Sequence, residues 1–109
     1  MTLRRPAALA LLLATLPATL PAASSVAEAE RSLCERLNDS GSYSEALPHC
    51  RSAALAQRAA STAGAPADDH GALGRSLNSL GLALEMTGDR RAAEASYLEA
   101  LERHRAQRL

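Results

Sequence analysis

Residues 77–101 read LNSLGLALEMTGDRRAAEASYLEAL, and the architecture of the chain follows from them. Leu73 just upstream and then Leu77, Leu80 and Leu84 recur at spacings of four, three and four, which places all four on one face of an α-helix. Gly88 follows, and glycine is the residue that closes a helix in the left-handed conformation. Asp89 is a good cap for a new helix, on which Ala93, Tyr97, Ala100 and Leu101 share a face. Arg103, Arg105 and Arg108 lie at its end, where positive charge suits the helix dipole. The stretch predicts a tight antiparallel helical hairpin.

Upstream of it, Asp68 and Asp69 are caps for the leucine helix, and Gly64 and Pro66 before them are poor interior residues. Residues 42–61 carry Ala46, Cys50, Ala53 and Ala54 on one face. They begin with Ser42 and Glu45 at the spacing of a capping box, and Pro48 removes one backbone bond near the start. Residues 26–38 place Val26, Leu33 and Leu37 on one face at spacings of seven and four, and Ser40 and Gly41 break that run. A second hairpin is therefore predicted before the first. The two halves align at an offset of 47 residues: Leu33 with Leu80, Leu37 with Leu84, Gly41 with Gly88, Ala46 with Ala93 and Ala53 with Ala100. Cys34 then falls on Gly81, and Cys50 on Tyr97.

Composition agrees with an all-α protein of one small domain. Of 109 residues 47% are hydrophobic but only 2% aromatic, which argues against an aromatic-rich sandwich or barrel. Alanine and leucine, both good helix formers, dominate the apolar content. Twelve basic residues, all arginine, balance twelve acids, so the chain lacks the positive excess that nonspecific nucleic-acid binding requires.

The amino terminus has the layout of a secretory signal peptide. Arg4 and Arg5 precede an apolar run over residues 7–16, followed by Pro17, Pro21 and small residues. That run is about half the ~20 residues a membrane-spanning helix needs, so no stable membrane insertion is expected after cleavage. Small residues suit cleavage after Ala27 and also after Ser24; the cut after Ala27 is preferred. The expected organisation is a signal peptide over residues 1–27 and a helical domain over 28–109. Within that domain a first hairpin covers about 28–61, a loop about 62–68 and a second hairpin about 69–107. Periplasmic or secreted localisation follows.

Export governs how the cysteines are read. The midpoint of Cys34 and Cys50 is Ser42, at the turn, so the two lie at one level on neighbouring antiparallel helices and on their inward faces. An even cysteine count in an oxidising compartment points to a structural disulfide. The alternatives are a pair of buried free thiols packing as small hydrophobes, or a redox pair, which the absence of a Cys-x-x-Cys spacing disfavours.

The second half resembles a tetratricopeptide repeat, with Leu77, Leu80, Gly81, Leu84, Gly88, Ala93, Tyr97 and Ala100 at the positions of that motif. The first half, through Leu33, Leu37, Gly41, Tyr43, Ala46 and Ala53, is similar to a degenerate copy that departs from the motif at Cys34 and Cys50. The family's basic period is about 34 residues. The longer period here, the early Pro48 and the insert of about thirteen residues resemble the kinesin-light-chain-like variant. The resemblance implies a helical scaffold that binds protein or peptide partners without catalysis. It also implies that the first helix of each hairpin lines a groove, which here carries Arg31, Glu35 and Asn38 and then Arg75, Asn78, Ser79, Leu82 and Glu85.

Catalytic and metal chemistry find little support. His49 beside Cys50, and Asp68, Asp69 and His70, lack zinc-site spacing, and no nucleophile elbow or glycine-rich phosphate loop occurs. No catalytic residue, metal or cofactor is expected. The leading expectation is an exported protein-interaction module. Its alternative is a structural or vestigial repeat fragment that works only by self-association or by docking on a larger array, since two repeats are fewer than such stacks usually need and Leu98 lies on an outer face.

Overall fold

The computed structural model describes residues 23–62 and 69–108. The predicted signal segment up to residue 22 and the loop at 63–68, with Asp68, lie outside the described residues, as do the side chains of Asp69 and His70. The described chain is all-helical: α1 Ala23–Asp39, α2 Tyr43–Thr62, α3 Asp69–Met86 and α4 Arg90–Arg108. Helix α1 packs on α2 and α3 on α4, forming two hairpins; α2 packs on α3, and α1 touches α3.

The internal repeat is realised bond for bond at the two turns. In the first, Ser42 N donates to Leu37 O at 2.8 Å and Gly41 N to Asn38 O at 3.0 Å; in the second, Asp89 N donates to Leu84 O at 2.9 Å and Gly88 N to Glu85 O at 3.1 Å. These paired bonds are the Schellman closure of a helix. Both need a left-handed residue, and Gly41 and Gly88 have φ of 80° and 98°. The next helices start alike, with Ala46 N donating to Ser42 O and Ala93 N to Asp89 O. Even a side-chain bond recurs: the Ser40 hydroxyl donates to Leu37 O at 3.0 Å and the Thr87 hydroxyl to Leu84 O at 3.1 Å. Every one of these pairs is separated by the 47 residues of the sequence repeat.

The caps differ in detail. Asp89 Oδ1 accepts from Ala92 N at 3.2 Å, a side-chain cap, whereas Ser42 Oγ lies 3.3 Å from Ser40 Oγ. Among the described hydrogen bonds, the reciprocal Ser42–Glu45 box does not occur. Helix α2 continues through Pro48 to Thr62.

Two apolar clusters form the core. One joins Cys34, Ala46, Cys50 and Ala83 with Leu37, Leu47 and Leu80 against them, and the other joins Ala54, Leu73, Leu77 and Ala100 with Leu80. Leu80 belongs to both, so α3 locks the hairpins together. The buried stripe of α1 differs from the predicted Val26, Leu33 and Leu37. It runs through Ala27, Cys34 and Asn38, at the same spacings of seven and four but one residue later, and Val26 is 37% exposed. Leu37 packs against the first cluster from the edge of this stripe, and Leu33 is half-buried. Helix α1 also begins before the expected domain boundary at residue 28, and Ala27, in its second turn, is 1% exposed.

Candidate functional site

The first hairpin is tied across its centre by a Cys34–Cys50 disulfide, with Cα atoms 4.9 Å apart and both residues fully buried. That separation lies within the range a bridge permits. A second tie runs between the same helices, where His49 Nδ1 lies 2.7 Å from Glu30 Oε2.

Asn38 sits over this bridge, its Nδ2 at 3.9 Å from Cys34 Sγ and 4.0 Å from Cys50 Sγ. The same amide donates to Ser79 O at 3.0 Å, reaching from α1 to α3. Asn38 is only 5% exposed. It therefore fastens the seam between the hairpins and is not presented to solvent as a groove residue. Ser79 takes part through its backbone carbonyl. On the far side of the stack, Arg58 of α2 makes a two-pronged contact with Glu99 of α4, one prong at 2.8 Å, and Arg103 approaches the same carboxylate at 3.7 Å. The Arg58 hydrogen bond holds the Glu99 carboxyl below its ordinary value of 4.5, against the opposing effect of burial.

The remaining expected groove residues divide by helix. On α1, Arg31 and Glu35 pair with each other at 3.4 Å, one turn apart, and the arginine is largely covered. On α3, Arg75 and Asn78 are exposed, and Leu82 is 36% exposed. Among the described residues Arg75 pairs with no carboxylate. Glu85 is exposed, but Tyr97 Oη donates to its Oε1 at 3.0 Å, which ties it to α4. Burial first, and then that bond, push the Tyr97 phenol above its ordinary value of 10.0. Arg75, Asn78 and Leu82 thus form an exposed row on α3 whose arginine has no carboxylate partner among the described residues. A guanidinium, an amide and a leucine in one row can take a carboxylate, a backbone amide and an apolar side chain.

No known family model, curated protein or solved structure matches the chain. Among the described residues, no group of three or more histidine, cysteine, aspartate or glutamate side chains is placed to hold a metal ion, and no helix is long and apolar enough to cross a membrane.

The pairs Asn38–Ser79, Arg58–Glu99, Glu30–His49 and Glu85–Tyr97 are contacts that the sequence reading does not single out. The first two depend on how one hairpin sits on the other, which no local pattern encodes. The last two carry a weak signal, in that each joins polar residues on adjoining helices of one predicted hairpin.

Proposed function

We propose that this protein is an exported, tetratricopeptide-like interaction module without catalytic activity. In this reading the α3 row Arg75, Asn78 and Leu82 captures an extended or helical segment of a protein partner that carries an acidic group. The observation that carries the reading is the exposed row itself. The side chains of Arg31, Glu35, Asn38 and Glu85 are committed to contacts within the fold, and Ser79 contributes its backbone carbonyl, whereas these three side chains are exposed on α3. An arginine without a carboxylate partner among the described residues, beside an amide, suits a carboxylate, and Leu82 supplies an apolar anchor.

Export is supported by the Cys34–Cys50 disulfide, a bond that persists in oxidising compartments. The packing of Ala27 bears on where the signal segment is cut. Cleavage after Ala27 removes a buried residue and the start of α1, while cleavage after Ser24 keeps Ala27 in place. The amino-terminal sequence of the exported protein distinguishes the two.

Photo-crosslinking in exporting cells tests the groove. A crosslinking residue at Leu82 should give a discrete adduct that a probe at Leu55, 67% exposed on α2, does not give. Replacing Arg75 and Asn78 by alanine should remove the adduct without changing thermal stability. An adduct that survives the double substitution rejects the row as the binding site.

A further inference from the structure

We infer that the protein assembles head to tail with further copies of itself, the α1 face of one chain stacking on the open α3–α4 end of the next and continuing the hairpin-on-hairpin packing already present within each chain. The faces involved are separate from the α3 row, so self-assembly and the proposed partner groove stand or fall independently.

The 47-residue equivalence sets the register. The face of the first hairpin that the second covers includes Asn38, Ala46, Leu47, Cys50 and Ala54, packed against Leu73, Leu77, Leu80 and Ala83 of α3. The equivalent face of the second hairpin consists of Glu85, Ala93, Glu94, Tyr97 and Leu101. Among the described residues, no further helix covers it. A hollow of about 410 Å³ opens there, lined by Glu85, Arg90, Ala93, Glu94, Tyr97 and Leu98. Leu98 is 55% exposed and Leu101 47%.

The complementary face exists on the same molecule. The α1 equivalents of Leu73, Leu77, Leu80 and Ala83 are Val26, Glu30, Leu33 and Arg36; Val26 is the exposed valine that the core of its own hairpin does not use, and Glu30 is held to His49 of its own chain. Leu73 is 1% exposed against Ala54, whereas its counterpart Val26 and Ala54's counterpart Leu101 are both open to solvent. Stacking a second copy in the same register sets its Val26 and Leu33 against Leu101 and Tyr97. It also brings its Arg36, which replaces Ala83, against Glu94, which replaces Leu47. A contact that is apolar within the chain becomes an ion pair between chains, so the intermolecular joint has its own charge complementarity. Because the two faces differ, the contact is heterologous and leaves one face free at each end, which generates open chains of copies rather than a closed dimer.

Sedimentation equilibrium on the protein recovered from an exporting cell, from micromolar to millimolar at low salt, tests this. The weight-average mass should rise continuously and pass that of a dimer. Arg36→Glu and Glu94→Arg each place like charges at the joint and should each weaken association by roughly threefold to tenfold. Both side chains are exposed, and circular dichroism should show both variants folded. Mixing the two variants should restore association, because every contact between unlike chains then sets opposite charges against each other at positions 36 and 94. A wild-type monomer at millimolar concentration, a closed dimer that grows no further, or a mixture no more associated than its components would each overturn the inference.

Discussion

At one level of the first hairpin the chain places Cys34 and Cys50, with Cα atoms 4.9 Å apart; at the equivalent level of the second hairpin it places Gly81 and Tyr97. Both pairs bring two helices together, by opposite means. The first joins them covalently through two small side chains. The second removes a side chain from one helix so that the ring on the other can lie against its backbone: a Cβ added at Gly81 would meet the Tyr97 ring at 2.6 Å.

The surroundings show why the means differ. The second hairpin contributes Leu73, Leu77 and Leu84 to the core, each 3% exposed or less, and burying such a side chain is worth about 1.5–3 kcal/mol. The buried apolar residues of the first hairpin are Ala27, Ala46, Ala53, Ala54 and Ala60 with the two cysteines. So little apolar volume leaves that hairpin short of hydrophobic stabilisation, and a crosslink that narrows the unfolded ensemble compensates. The two halves keep one turn geometry while the force that closes each hairpin is exchanged.

Removing the bridge separates the two hairpins most sharply. Cys34→Ala with Cys50→Ala should cost about 3 kcal/mol, from loss of a crosslink that closes a loop of this length. In a domain of this size that lowers the melting temperature by roughly 12–24 °C. Scanning calorimetry of the oxidised wild type and the double variant measures it, and a shift of a few degrees would show that packing alone closes the first hairpin.

The second hairpin is probed at its glycine. Gly81→Ala should destabilise by about 1–3 kcal/mol, since the new methyl group displaces the Tyr97 ring. In a Tyr97→Ala background the sign should reverse, with Gly81→Ala stabilising by about 1 kcal/mol through helix propensity. Urea unfolding of the four proteins supplies the cycle; additive effects would mean that the ring and the glycine are not coupled.

The seam between the hairpins comes next. Asn38→Ala removes the bond to Ser79 O and should cost about 1–2 kcal/mol, with faster hydrogen exchange at the α1–α3 contact. Unchanged exchange at that contact would place Asn38 outside the seam.

The smallest effect concerns Glu99. Its carboxyl is held below its ordinary value of 4.5, so its contribution is present above that pH and is lost as pH falls through the depressed folded value. Both side chains of the Arg58 pair are partly exposed, so Glu99→Gln should cost no more than about 1 kcal/mol at neutral pH. The deficit should shrink as pH falls below about 4.5. A deficit independent of pH would assign the effect to packing.

Much of this fold is legible in the sequence, for reasons that are local. Leu73, Leu77, Leu80 and Leu84 declare a helix by period, and Gly41 and Gly88 declare a helix end because no other residue adopts a positive φ so readily. The level of the cysteines follows from antiparallel symmetry about the turn, and the disulfide is present. Val26 misleads because its spacing with Leu33 and Leu37 fits a helical face as well as that of Ala27, Cys34 and Asn38 does. In a helix this poor in large apolar residues, period alone does not choose between stripes one residue apart. Asn38 reads as a groove residue for a related reason. It lies in the row of Arg31 and Glu35, and only the stacked second hairpin shows that its amide is covered and bonded to Ser79. Arg75, Asn78 and Leu82 are exposed as their helical positions suggest, and exposure of a side chain is as far as a helical period can take a binding site.

If the two hairpins are one unit repeated at a 47-residue offset and closed in two interchangeable ways, the bridge can be moved from one to the other. In Gly81→Cys/Tyr97→Cys, oxidised and then alkylated under denaturing, non-reducing conditions, peptide mass mapping should find Cys34 joined to Cys50, residue 81 joined to residue 97, and no alkylated thiol. Two free thiols at 81 and 97 in a folded protein would refute the equivalence, because the second hairpin would then not hold its helices as the first does.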